Sequence, residues 1–230
     1  MNAAKKIIDL LYSDKGYADR IAPDIWPMAI NKAQGMFLMQ LINRYKPRTF
    51  VELGFRYGIS SLWIQSASNK PRKHVIIDPY HHIPHPPKKS TIDDFIKQQK
   101  GVHFIENMTS QEYLATLSYK SEQADMVFID ASQWFDSVMT DMFFVTRILA
   151  VNGRVVLRNI WSRPVRRAVM YYLRNLPYSL DRVAPWREWI IKHVPVIGEL
   201  LLRLTIRPLD LCVMRLMEKD SRQWNHFVPF

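Results

Sequence analysis

Short apolar runs alternate with amphipathic stretches through most of the chain. Phe50 to Leu53 is the first run, bounded by Pro47 and Gly54; His74–Asp78, Val102–Glu106, Ala124–Asp130 and Arg154–Leu157 follow. Runs this short, closed off by turn residues, read as buried strands. Between them, residues 91–99, 111–117, 136–149 and 164–175 carry the spacing of helices, and Pro164 suits a first helical turn. Upstream, 2–12 reads as a helix with Ile7, Ile8, Leu10 and Leu11 on its apolar side. Residues 28–45 form a longer amphipathic helix that stops before Pro47, since a residue preceding proline disfavours helical backbone. Downstream, 178–184 and 209–217 read as closing strands. Between these, Trp186 to Arg207 repeats apolar residues at helical spacing, broken by Pro195 and Gly198. The strands are apolar throughout rather than alternating, so both of their faces are covered. The pattern predicts an α/β fold: a mostly parallel, seven-stranded sheet with helices on both faces. It divides the chain into an N-terminal helical cap segment, 1–47, and a main domain, 48–230, with a helical insertion at about 185–208.

Composition narrows the class. A chain of 230 residues that is 48% hydrophobic suits one α/β domain with extensions. Cys212 is the single cysteine, so no intrachain disulfide forms, which fits a reducing compartment. Met1 to Leu11 lacks a long apolar core and a cleavage site, and no run of about 18 apolar residues occurs. The expectation is a cytoplasmic protein. Net charge is +11, and it is uneven: residues 151–230 hold 14 basic and 6 acidic residues. A basic C-terminal third implies an acidic substrate, an anionic membrane surface or nucleic acid.

The chemistry-bearing pattern is Glu52-x-Gly54-x-x-x-Gly58-x-Ser60, at the end of the first strand. Glycines there allow a sharp turn and close approach of a ligand, and Ser60 or Ser61 can cap the following helix. In open α/β sheets ligands bind at strand carboxyl ends, and a buried carboxylate such as Glu52 needs a partner. Asp78 ends the second strand, 26 residues later, where an acceptor-only carboxylate can take two ribose hydroxyls. The glycine spacing is unlike that of a dinucleotide cradle. It resembles the first motif of class I S-adenosylmethionine (SAM) methyltransferases, in the variant of the catechol O-methyltransferase-like group. The resemblance covers roughly residues 26–175 and implies a Rossmann-like class I methyltransferase fold that uses SAM.

By that resemblance Glu52 lies near the methionine end of the cofactor, Gly54 and Gly58 give close backbone approach, and Ser60 meets the carboxylate. Asp78 holds the ribose, Met108 borders the adenine, and Asp130 faces the reaction centre. Met28 to Gly35 resembles a cofactor-covering segment and equally suits plain packing.

The chain departs from the metal-dependent members of that group. They follow the fifth strand with an Asp-Asn pair, whereas Arg158-Asn159-Ile160 stands here. Mg²⁺ wants hard oxygen ligands, so no metal is expected. The loop Pro79–Ser90 carries His81, His82 and His85 among four prolines, which leaves open a metal site, a catalytic His81 or a solvated loop. The expected activity is metal-independent O-methylation of a small or acidic substrate, with Arg158 and Arg163 as substrate-binding residues. The alternative is a non-catalytic SAM-fold module docking an anionic partner or membrane. Ala131-Ser132-Gln133 after the fourth strand lacks the motif of nucleic-acid methyltransferases. Arg163, Arg166, Arg167 and Arg174 recur at helical spacing and are expected to share an anion-binding face. For 186–207 a lid, a homodimer contact and a peripheral membrane element stay open, with Glu188 and Glu199 diluting its positive charge.

Overall fold

The computed structural model describes residues 3–13, 29–79, 91–206, 209–223 and 225–229. Seven strands form one mixed sheet in the order β3-β2-β1-β4-β5-β7-β6. The chain separates into two compact units, 1–110 and 111–230.

In the first unit, helices α1 (Ala3–Ser13) and α2 (Lys32–Tyr45) precede strand β1 (Thr49–Leu53). Helix α3 (Ile59–Ser66), strand β2 (Lys73–Ile77), helix α4 (Thr91–Lys97) and strand β3 (Val102–Ile105) follow. All three strands are parallel, with Glu52 opposite Ile76 and Ile76 opposite Phe104. From its second residue on, every side chain of β1 and β2 is buried, as strands covered on both faces require. Phe50, Leu53, Ile76 and Ile77 are among the largest fully buried side chains, each contributing about 1.5–3 kcal/mol of burial. Helix α2 starts later than its apolar spacing suggests, because Asn31 and Gln34 form a reciprocal capping box. It stops where Lys46 turns left-handed and returns its N–H to Ile42 O, one residue before Pro47. Gly35 lets α2 approach α3: a Cβ there would lie 2.1 Å from the Trp63 ring nitrogen. That nitrogen donates to Tyr12 Oη (3.3 Å), and the hydroxyl donates to Ile30 O (2.7 Å). Ile30 and Gly35 are thus engaged in packing, while Met28 lies outside the described residues.

The second unit contains α5 (Ser110–Tyr119), β4 (Ala124–Ile129), α6 (Phe135–Ile148) and β5 (Leu149–Arg158). It continues through α7 (Arg163–Asn175), β6 (Tyr178–Leu180), α8 (Pro185–His193), α9 (Pro195–Ile206) and β7 (Leu211–Leu216). β4 and β5 are parallel, whereas β7 runs antiparallel to both β5 and β6. β5 begins earlier than residue 154, directly after α6. It keeps the Asn152-Gly153 turn as a bulge, with Asn152 at φ 66°, where the register against β4 shifts. β6 is shorter than 178–184 and ends at Leu180, because Arg182 turns left-handed.

Cys212 lies opposite Leu157 inside the sheet and is fully buried. Burial disfavours the thiolate and pushes its pKa up to about 12. Since the thiolate is the nucleophile, the native protein should show no reaction with a disulfide reagent at pH 8 and one thiol per chain in denaturant. Fast native labelling would contradict this packing.

Candidate active site

The turn after β1 is built around Asp78. Gly54 N donates to Ile77 O (2.9 Å) and Asp78 N to Ile105 O (3.1 Å), which carries the strand ladders one residue beyond the strands. Asp78 Oδ2 then accepts from Phe55 N (2.6 Å) and Arg56 N (2.8 Å). One carboxylate oxygen therefore fixes the glycine turn, leaving Oδ1 without a protein donor among the described residues. Burial raises the Asp78 pKa above its ordinary value, against the pull of the two amides. The turn needs its glycines. Gly54 sits at φ 92° and Gly58 at φ 72°, and a Cβ on Gly58 would meet the Phe55 ring at 2.5 Å.

Neither Ser60 nor Ser61 caps α3; Gly58 holds the cap position without a side-chain bond. Ser61 Oγ instead donates to Glu52 Oε2 at 2.5 Å. Glu52 is fully buried, and His74 Nε2 lies 2.9 Å from the same oxygen. The ring N–H is off the hydrogen-bond line, so this contact is electrostatic rather than a formed bond. Gln65 Nε2 stands 3.1 Å from His74 Nδ1, and with the amide donating, the ring proton sits on Nε2, facing Glu52. Glu52 Oε1 is buried with no partner among the described residues. The strand-end glutamate thus finds its counterparts inside the protein. Met108 is half-buried in the turn between β3 and α5.

In the second unit, the ends of β4 and β5 form another polar cluster. Asp130 Oδ2 accepts from Arg158 Nη1 (2.9 Å), and Asp130 Oδ1 accepts from Asn159 Nδ2 (3.2 Å). Asn159 is left-handed (φ 62°), which turns the chain sharply at the end of β5. Asp210 locks that turn by accepting from Trp161 N at 2.8 Å. Burial raises the Asp210 pKa, while backbone N–H groups and Arg158 oppose the shift. Trp134 and Trp161, beside these strand ends, are exposed.

The arginine face predicted on α7 does not form. Arg166 is buried; its Nη1 donates to Ile160 O (3.0 Å) and Trp161 O (2.5 Å), and its Nε stands 3.4 Å from Glu199 Oε1. Arg174 donates to Pro229 O and Ile191 O, both at 3.2 Å. Arg166 is drawn to Glu199 of α9 and Arg174 to Ile191 O of α8, which takes both out of an open face. Arg163 stays exposed and Arg167 half-exposed. His81, His82 and His85 lie outside the described residues. His74 and Asp210 were missed by sequence reasoning: a histidine within an apolar strand and an aspartate before one carry no local signal of a partner.

Residues 51–160 match the family described as "Methyltransferase domain". No curated protein matches the chain by sequence. Solved structures match in fold. The O-methyltransferase from Bacillus cereus in complex with SAH is 13% identical, with TM-score 0.59, covering 94% of this chain and 90% of that one. Cofactor-bound Rv0187 from MTB is 16% identical, with TM-score 0.62 and coverage of 91% and 90%. SAH-bound Podospora anserina methyltransferase PaMTH1 is 15% identical, with TM-score 0.51 and coverage of 95% and 89%. The matched segment runs from β1 to the turn after β5, taking in the glycine turn, Asp78 and Asp130, so residues 51–160 read as a methyltransferase domain, carried on the fold that the SAH- and cofactor-bound methyltransferase structures share.

Proposed function

We propose that the enzyme methylates an oxygen of a small-molecule acceptor without a divalent metal. The observation that carries the metal-free reading is the Asp130 cluster. Both carboxylate oxygens receive N–H donors, one from a guanidinium and one from an amide. A guanidinium does not ligate a metal, the Asn159 side chain turns its N–H rather than its carbonyl to Asp130, and Arg158 already supplies the positive charge that Mg²⁺ would bring. The likeness in fold to an O-methyltransferase supports the choice of oxygen.

The first unit's donor set suits SAM. Asp78 keeps an oxygen for ribose hydroxyls, Gly54 and Gly58 leave the turn without side chains, and Ser60 lies in the first turn of α3, where backbone N–H groups suit a carboxylate. Met108 supplies an apolar edge for adenine. Bound SAM supplies an activated, electrophilic methyl group. The chain's task is then alignment and charge stabilisation. In the second unit Arg158, fixed by Asp130 beside Asn159, is a cation suited to hold an oxygen of the acceptor. Glu52 serves instead as a buried brace between α3 and β2.

The test is titration calorimetry with SAM, followed by methyl transfer to a panel of phenols and carboxylic acids, in chelator and then in Mg²⁺. Binding and turnover should be the same in both, with methyl ethers or esters as products. Strong stimulation by Mg²⁺ would overturn the metal-free reading, and methylation at nitrogen or sulfur would overturn the choice of oxygen.

A further inference from the structure

Helices α8 and α9 form a hairpin whose outward face is apolar and basic. Trp186 and Trp189 are each 59% exposed on α8, and Val196, Ile197, Leu200 and Leu204 are 54–82% exposed on α9. Residues 186 and 189, and then 196, 197, 200 and 204, fall on one stripe of their respective helices. Monomeric proteins scatter such side chains singly, and a group of this kind marks an interaction surface. The hairpin is firmly built. Gly198 crosses α8 so closely that a Cβ would lie 2.6 Å from Ile191 O, and fully buried Ile191 and Leu202 fill its inner side.

The charges decide what this face meets. Both glutamates of the hairpin turn inward. Glu188 accepts from Ser179 Oγ (3.0 Å) and Leu180 N (3.1 Å) and pairs with Lys192 (2.9 Å). Glu199 pairs with Arg166. They do not dilute the outer charge as their positions in the sequence suggest. Arg187 lies over the Trp186 ring at 5.1 Å, and Arg203 is exposed next to Leu204. Tryptophan prefers the interface between water and lipid, and arginines flanking an apolar stripe are drawn to anionic headgroups. A second copy of this chain would set like charges against each other across the same face.

We propose that the α8–α9 hairpin docks the protein on an anionic lipid bilayer. Because Arg166 ties α9 to the carbonyls of Ile160 and Trp161, docking brings the carboxyl end of β5 and the exposed Trp161 to the membrane surface. Among the described residues no helix is long and apolar enough to cross a membrane, so the contact is peripheral.

The test is co-sedimentation of the full chain with vesicles of phosphatidylcholine alone, and of equal parts phosphatidylcholine and phosphatidylglycerol. Wild type should bind the anionic vesicles at low salt, bind them less as salt rises, and hardly bind the neutral ones. Arg187→Glu with Arg203→Glu should weaken anionic binding about 25-fold or more, since each arginine near the surface contributes about fivefold. Trp186→Ser with Trp189→Ser should weaken it at least tenfold, by removing the interfacial anchors. Both variants should keep wild-type SAM affinity, which separates this proposal from the reading of the cofactor site. Absence of vesicle binding by wild type, equal binding by the variants, or a wild-type dimer that the tryptophan variant splits and that does not sediment with vesicles would each overturn it.

Discussion

Asp78→Ala should weaken SAM binding by roughly 10- to 150-fold, the equivalent of about 1.5–3 kcal/mol for a charge-assisted hydrogen-bond acceptor. The reason is double. Oδ2 holds the Phe55 and Arg56 amides, which fixes the glycine turn, and in the proposed cofactor site the other oxygen accepts from ribose hydroxyls. Asp78→Asn retains a carbonyl acceptor for the turn and should recover part of the loss. Calorimetry gives the affinities, and circular dichroism checks that the fold persists. An affinity equal to wild type in the alanine variant would remove Asp78 from the site.

The pH dependence follows from the same residue. Burial raises its pKa above 3.8 in the folded protein. The folded state therefore holds this proton more tightly than the unfolded chain does. Asp78's own contribution to stability is fully present below pH 3.8 and is lost as pH rises through the folded value. SAM binding runs the other way, because protonation removes the acceptor charge. Acidification should thus release cofactor as Asp78 takes up its proton, while this residue still favours the folded state. Cofactor affinity that does not fall on acidification while the protein stays folded would contradict the assignment.

Arg166→Glu should destabilise the protein by about 3–5 kcal/mol, the range for leaving buried charge unpaired. It deprives Ile160 O and Trp161 O of their donor and sets a new carboxylate beside Glu199. For a chain of this size the melting temperature should fall by roughly 10 °C or more. Arg163→Glu, at an exposed position on the same helix, should stay within about 0.5 kcal/mol of wild type. If both variants melt with the wild type, Arg166 is a surface residue and the packing of α7 against α9 is wrong.

These two arginines are spaced alike in sequence and differ only in what stands over them. The helical period correctly places Arg163, Arg166 and Arg167 near the carboxyl end of β5. It cannot say that α9 returns across Arg166, 33 residues later, with Glu199 aimed at it. The same holds for Glu188 and Glu199, which read in sequence as diluting the charge of the hairpin and in the fold are internal partners.

What the sequence by itself determines here is local. Runs such as Phe50–Leu53 and Val75–Ile77 are strands because continuous apolar residues suit a sheet covered on both faces. Gly54, Gly58 and Asp78 are legible as a strand-end turn because left-handed backbone and a strand-end carboxylate are local demands on residue type. Asn31 and Gln34 start α2 by bonds that span three residues. Tertiary structure alone decides the partners: Ser61 and His74 for Glu52, Arg158 and Asn159 for Asp130, and the Trp161 amide for Asp210, 49 residues away. Periodicity fixes the face on which a side chain lies. Which polar atom meets it depends on strand order, register and helix crossings, set by the packing of the whole core.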